Sequence, residues 1–130
     1  MSRARVLLAD DNQAMLEIVV STLAPDFDIV AAVHNGQEAL DAAAQLDPDV
    51  IVLDISMPVL DGIKAASRLR EGNAGAKIVF LTADHDAQTC QLASETGALG
   101  YVTKMRLRPD LVRATKLALA GRRFVSPDVE

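Results

Sequence analysis

The chain has 130 residues, a length typical of one domain that can bury a core without disulfides or other cross-links. Its single cysteine, Cys90, excludes an internal disulfide, and its net charge of −5 excludes a general attraction to nucleic acid or to an anionic membrane. The first apolar run, residues 6–9, is too short for a signal peptide or a membrane span, so we expect a cytoplasmic domain that contacts neither DNA nor membrane directly.

Five short apolar runs predict five β-strands, because each run is too short to form a helix. They lie at residues 6–9, 27–33, 50–53, 78–81 and 99–102. Between them, apolar residues recur every three or four positions, which predicts amphipathic helices, for example in the stretch containing Met15, Val19 and Leu23. We expect Gly36 in the loop before the second helix and Pro58 with Gly62 before the third. Regular alternation of strand and helix predicts a doubly wound α/β domain, with a five-stranded parallel sheet covered by helices on both faces.

The fourth helix is predicted at residues 84–96, where Leu92 is nearly alone as a large apolar side chain. A helix that buries little apolar surface is held weakly, so we expect this one to be movable.

Chemically active side chains follow four of the five predicted strands. Asp10 and Asp11 follow the first, Asp54 the third, Thr82 the fourth and Lys104 the fifth. If the strand order is 2-1-3-4-5, the carboxyl ends that carry these residues meet beside the topological switch point, where ligands of such sheets bind. The second strand is then an edge. The sequence therefore predicts one site built from all five side chains.

A carboxylate at the end of the apolar run 50–53 predicts that Asp54 has a cationic or hydrogen-bonding partner, since burial of an unpaired charge is expensive. Three converging carboxylates also repel each other, which favours a hard divalent cation with oxygen ligands, and Mg²⁺ is the natural candidate. A carboxylate beside Mg²⁺ can attack phosphorus, while Lys104 and Thr82 offer a cation and a hydroxyl to the transferring oxygens.

Four stretches together resemble the receiver domain of bacterial two-component response regulators: Asp10-Asp11, "VLDISMPVLDG" around Asp54, "FLTAD" around Thr82, and "GYVTK" ending at Lys104. The resemblance covers about residues 4–121. It implies that Asp54 is the phosphoacceptor, in a signalling protein that catalyses its own phosphorylation and dephosphorylation. A histidine kinase or a phosphotransfer protein would be the partner.

The same resemblance assigns roles to individual residues around the acceptor. Asp11 corresponds to the direct Mg²⁺ ligand, Asp10 to the acid that acts largely through metal-bound water, and Ser56 to the residue whose main-chain carbonyl binds the metal.

Thr82 corresponds to the switch hydroxyl, and its movement would free space that Tyr101 fills from outside. Lys104 corresponds to the ammonium that holds the phosphoryl group, and we expect it to have no partner until that group arrives.

The residues after the last helix resemble the subfamily in which a linker leads to a helix-turn-helix output domain. We expect residues 1–121 to form the receiver domain and residues 122–130 to form a tail or the start of a linker. A possible homodimer would use the fourth helix, fifth strand and fifth helix, where Tyr101, Arg106 and Arg113 could meet Asp84 or Asp86 of a second copy.

Three other functions share parts of this pattern. A phosphohydrolase of the haloacid dehalogenase type would need a second aspartate at the position of Ser56, and a longer chain for its cap. A flavodoxin-like cofactor binder has the same strand order, but it would need glycine and hydroxyl residues where the acids at 10 and 11 would repel phosphate. A receiver fold used only for interaction would usually lack an acid or the lysine.

Overall fold

The computed structural model describes residues 3–72 and 74–130, and within them six parallel strands form one sheet in the order β2-β1-β3-β4-β5-β6. The elements are β1 (Arg5–Ala9), α1 (Gln13–Leu23), β2 (Asp28–Val33), α2 (Gly36–Leu46), β3 (Val50–Leu53), α3 (Gly62–Glu71), β4 (Lys77–Thr82), α4 (Ala87–Glu95), β5 (Gly100–Thr103), α5 (Leu107–Leu119) and β6 (Phe124–Val125). A single 3₁₀ turn, Lys104–Arg106, joins β5 to α5. The predicted order 2-1-3-4-5 and the edge position of β2 are confirmed, whereas β6 was not predicted.

Strand side chains alternate between two apolar layers, one on each face of the sheet. Val6, Val52 and Val102 point toward α1 and α5, and their neighbours Leu7, Leu53 and Tyr101 belong to the opposite layer with α2 and α3. Alanine is the commonest buried hydrophobic residue on the helices, at positions 39, 43, 65, 66, 93, 114 and 118. These small side chains let the helices lie close to the sheet and replace the aromatic residues that the chain lacks.

Asparagine and aspartate side chains fix where four helices begin. Asn12 Oδ1 accepts a hydrogen bond from the Met15 amide at 3.0 Å, and Asn35, Asp61 and Asp86 cap α2, α3 and α4 in the same way. An N-cap satisfies amides that have no partner inside the helix. Because Asp86 is the cap, α4 begins at Ala87 rather than at residue 84.

Gly36 is the first residue of α2 rather than part of the preceding loop. Its amide donates to Leu60 O at 3.0 Å, and a Cβ at this position would lie 2.1 Å from the same oxygen. Only glycine allows this close approach between the start of α2 and the loop after β3.

Helix α4 has the fewest buried residues of the five α-helices that the structure describes. Of its residues, all of which the structure describes, only Ala93 is buried, and the Leu92 side chain is 53% exposed. This agrees with the prediction of a weakly held helix. None of the helices among the described residues is long and apolar enough to cross a membrane.

Candidate functional site

Three carboxylates meet at the carboxyl ends of β1 and β3, as the sequence predicted. Parallel pairing places Ala9 opposite Leu53, and the Asp54 amide donates to Ala9 O at 2.9 Å, so the residues that follow both strands are neighbours. Asp10 and Asp54 are buried, at 3% and 5% exposure, while Asp11 is exposed. One carboxylate oxygen from each of the three lies within 4.8 Å of the others.

The predicted partner of Asp54 is Lys104, which begins the 3₁₀ turn after β5. Its ammonium Nζ lies 3.0 Å from Asp54 Oδ2 and 2.9 Å from Asp10 Oδ2. The Lys104 side chain is only 19% exposed, so this ionic bridge is largely shielded from water. The expectation that Lys104 has no partner before a phosphoryl group arrives is therefore wrong. The two aspartates attract the ammonium because they form a buried negative cluster.

The two contacts of Lys104 are not equivalent. The ammonium donates a hydrogen bond to Asp54 Oδ2, whereas its contact with Asp10 Oδ2 lacks hydrogen-bond geometry. Asp10 Oδ2 is thus a buried oxygen without a hydrogen-bond donor among the residues that the structure describes. The other oxygen, Asp10 Oδ1, accepts from the Asn12 amide at 2.9 Å. The charge of this oxygen is balanced in part by the Lys104 ammonium at 2.9 Å, and its lone pairs remain available to a cation.

Burial and charge shift the pKa values of this site in directions that reveal its electrostatics. Burial raises the pKa of Asp54, with a further contribution from the charge of Asp10, and the hydrogen bond from Lys104 opposes but does not cancel the rise. Burial alone would lower the pKa of Lys104, but the two carboxylates outweigh it and raise that pKa. The negative charge of the cluster is therefore only partly neutralised by the one ammonium.

The site residues fit a Mg²⁺ ion. Asp11 and Ser56 line one groove of about 570 Å³ beside the buried pair, and Asp10 supplies the oxygen that lacks a donor. The Ser56 amide approaches Asp54 Oδ1 at 3.4 Å, which holds residues 54 and 56 together at the end of β3. Carboxylate oxygens in an open groove suit a cation that keeps several of its waters.

Thr82 and Tyr101 lie together on the side of the site toward α4, and both contact Asp84. Thr82 Oγ1 accepts from the Asp84 amide at 3.2 Å, and Tyr101 Oη donates to Asp84 O at 3.0 Å. The expectation that Tyr101 lies outside does not match this structure, since its ring is buried in the layer beneath α4. Burial and the nearby charge of Asp84 raise the pKa of Tyr101, so its phenol remains a hydrogen-bond donor.

Asp84 is a residue that sequence reasoning placed only in the dimer face and not in the switch. It binds Thr82 and Tyr101 through its main-chain amide and carbonyl. Every residue type except proline carries these two groups, so the sequence holds no signal for such a role.

The arginines predicted for a dimer face have partners within the chain. Arg106 forms a double hydrogen bond with Asp110, at 2.8 and 3.2 Å, and the Arg113 guanidinium lies 5.8 Å from the centre of the Phe124 ring. Burial alone would raise the pKa of Asp110, but the hydrogen bonds from Arg106 and Ser126 outweigh it and lower that pKa.

Comparison with known proteins agrees with this arrangement. A family described as "Response regulator receiver domain" matches residues 6–116. The chemotaxis protein CheY of Halobacterium salinarum is 36% identical over 110 residues, which cover 85% of this chain and 92% of CheY. The nitrate/nitrite response regulator protein NarL of Escherichia coli is 33% identical over 125 residues, covering 95% of this chain but only 58% of NarL.

Among solved structures, a LuxR-family two-component response regulator from an Aurantimonas species superposes with a TM-score of 0.92 and 34% identity, covering 98% of this chain and 93% of that one. The chain thus spans 92% of the length of CheY but only 58% of the length of NarL.

Proposed function

The chain belongs to the response regulator receiver domain family, and we propose that it accepts a phosphoryl group on Asp54 from a histidine kinase or a phosphotransfer protein. The observation that supports this most is the position of Asp54. Its carboxylate lies at the end of a buried strand, 3.0 Å from the Lys104 ammonium and beside the acids of β1. A carboxylate with this surrounding charge can act as a nucleophile whose product is stabilised as it forms.

In this reaction an Asp54 oxygen forms a bond to phosphorus while the bond from phosphorus to the donor's nitrogen or oxygen breaks. Lys104 can turn from the carboxylates to the equatorial oxygens of the phosphoryl group, because it already lies between Asp10 and Asp54. Mg²⁺ held by Asp10, Asp11, Asp54 and the Ser56 carbonyl would supply the remaining charge neutralisation. The same groups would serve dephosphorylation, in which a water oxygen forms a bond to phosphorus while the bond from phosphorus to Asp54 breaks, so that inorganic phosphate leaves and the carboxylate is restored.

Phosphorylation would then change the contacts of Thr82. Its hydroxyl oxygen now accepts from the Asp84 amide, and new phosphoryl oxygens would attract the hydroxyl as a donor. The Asp84 amide would then lose Thr82 Oγ1 as its acceptor. Because the Asp84 carbonyl accepts the hydrogen bond from Tyr101, a change at Asp84 would also reach Tyr101. A rearrangement of Thr82 and Tyr101 would therefore move the loop before α4 and bias that weakly held helix between two packings.

The output of the switch would be self-association through the face formed by α4, β5 and α5. In the full-length protein we propose that this controls transcription, since relatives that this chain matches over about half their length include the transcriptional regulatory proteins LnrK of Bacillus subtilis and DegU of Brevibacillus brevis. Residues 1–121 would be the receiver domain, and 122–130 would begin the connection to an output domain. Sedimentation velocity with and without beryllofluoride tests the dimer, and identical sedimentation of the two forms would contradict it.

Intact-mass measurement after incubation with acetyl phosphate tests the phosphoacceptor directly. We expect the parent protein to gain the mass of one phosphoryl group in Mg²⁺ and to gain none in chelator. Asp54→Asn should gain none, because an amide lacks the nucleophilic anion. Asp41→Asn, a matched change on the exposed face of α2, should still be phosphorylated. An unchanged parent mass, or normal labelling of Asp54→Asn, would contradict the assignment.

A further inference from the structure

The chain segment that follows α5 returns along the edge of β5. The Phe124 amide donates to Leu99 O at 2.9 Å, and the Ser126 amide donates to Tyr101 O at 2.9 Å. Ser126 Oγ in turn accepts from the Thr103 amide at 3.2 Å. Residues 124–130, here called the latch segment, therefore satisfy main-chain groups that an open sheet edge would leave exposed.

Side chains fix the latch segment at two further points. Ser126 is buried, and its hydroxyl donates to Asp110 Oδ2 at 2.8 Å. Both carboxylate oxygens of Asp128 lie 2.9 Å from Thr103 Oγ1. These contacts are specific hydrogen bonds between polar groups, so the latch segment has a defined position on the domain.

The end of the latch segment contacts the loop between β4 and α4. His85 Nδ1 lies 3.1 Å from Asp128 Oδ2, and the Glu130 amide donates to His85 O at 2.9 Å. His85 directly follows Asp84, which binds Thr82 and Tyr101. Two adjacent residues of one loop thus connect the switch side chains on one side with the latch segment on the other.

We propose that residues 124–130 form an intramolecular latch, which holds the β4–α4 loop in the arrangement of the unphosphorylated domain and is released when Asp54 is phosphorylated. The latch presupposes that Asp54 is the phosphoacceptor proposed above. When Thr82 turns toward the phosphoryl group, the Asp84 amide loses its acceptor, the loop shifts, and His85 moves away from Asp128 and Glu130. Release uncovers the edge of β5, which lies in the middle of the proposed dimer face.

Coupling between two states is reciprocal, so a latch that phosphorylation opens must also oppose phosphorylation while it is closed. Weakening the latch should favour the activated state even though no latch residue contacts the acceptor site. This reciprocity separates a latch from a tail that merely covers the sheet edge.

Amide hydrogen exchange of the unmodified parent chain tests release. With beryllofluoride in Mg²⁺, we expect the Ser126 and Glu130 amides to lose protection, because their acceptors are Tyr101 O and His85 O. The Lys77 amide, which donates to Asp49 O at the opposite end of the sheet, is the internal control and should keep its protection.

Asp128→Ala tests reciprocity, with Asp28→Ala as a control that removes the same charge at the far end of β2. We expect Asp128→Ala to lower the beryllofluoride concentration at half-saturation about fivefold, near the lower end of known allosteric couplings. The control should match the parent. Should Asp128→Ala not fold, the exchange measurement on the parent decides alone.

The experiments can contradict the latch proposal without contradicting the phosphoacceptor proposal. If acetyl phosphate labels the parent chain but the Ser126 and Glu130 amides keep their protection, the latch is wrong and the phosphoacceptor stands. An Asp128→Ala half-saturation equal to that of the control also overturns the latch. If the parent chain gains no phosphoryl mass, both are wrong.

Discussion

Lys104→Met removes the one cation that bridges the buried acids while keeping a long apolar stem. The ammonium lies about 3 Å from a carboxylate oxygen of Asp10 and one of Asp54. At an effective dielectric of about 20, each contact corresponds to roughly 5–6 kcal/mol of Coulomb attraction before desolvation is subtracted. Removing one partner of a buried ion pair typically costs about 3–5 kcal/mol. We expect a loss of about 3 kcal/mol in the free energy of unfolding in chelator near neutral pH, because protonation of Asp54 relieves part of the repulsion.

The pH dependence of this loss has a definite sign. A carboxyl whose pKa is raised by folding binds more protons in the folded than in the unfolded state, so it lowers stability as pH rises through its titration. Burial raises the pKa of Asp54, and the hydrogen bond from Lys104 is the largest influence that opposes the rise. Without Lys104 the pKa of Asp54 should rise further. The stability of Lys104→Met should therefore fall more steeply than that of the parent as pH rises from acidic toward neutral values.

Urea unfolding in chelator at a series of pH values measures both effects. Lys64→Met is the matched control, because Lys64 is 72% exposed and its contact with Asp61 is 4.0 Å long. An exposed pair of this kind contributes little, so the control should unfold close to the parent. In an Asp54→Asn background, Lys104→Met should cause a smaller loss in the free energy of unfolding. If Lys104→Met unfolds at the same urea concentration as the parent in chelator, or costs as much in the Asp54→Asn background, the buried charge cluster does not govern stability here.

Two further changes test the acid cluster and a strained loop. Asp54→Asn should raise the thermal midpoint in chelator and weaken Mg²⁺ binding. For the parent, Mg²⁺ at tenfold its dissociation constant should add about 1.4 kcal/mol to the free energy of unfolding. Calorimetry with Mg²⁺, and with Na⁺ at matched ionic strength, measures both effects, and an unmoved parent midpoint would exclude a metal site. The Val59 side chain is 81% exposed, and its backbone has φ 67°, a conformation in which a β-branched residue is strained. Val59→Gly should therefore raise the free energy of unfolding by about 0.5–1 kcal/mol, after the greater unfolded-state entropy of glycine is subtracted. Val59→Ala keeps the strain and should not stabilise in urea unfolding; an equal gain from both variants would assign the effect to something other than backbone strain.

The sequence by itself determined the first five strands of the sheet, their order and the meeting of the acids. Apolar runs of four to seven residues separated by helical patterns leave few topologies, and right-handed crossovers place the ends of β1 and β3 side by side. Asp10, Asp11 and Asp54 had to converge once these two strands were neighbours. The same reasoning found Lys104 and Thr82, because Thr82 is the last residue of β4 and Lys104 directly follows β5.

Only the tertiary structure decided how these groups pair. Lys104 lies 50 positions from Asp54 in the chain. It pairs with both buried acids because of the electrostatics of the folded cluster, which no local sequence pattern shows. Strand β6 has two residues, too few for any periodicity to show, and it forms because the edge of β5 leaves main-chain groups without partners. Tyr101 is held by the main-chain carbonyl of Asp84, and the Glu130 amide donates to the main-chain carbonyl of His85. Main-chain groups of this kind are common to nearly all residue types, so the sequence carries no signal for these contacts. Only the folded chain brings the switch loop and the latch segment together.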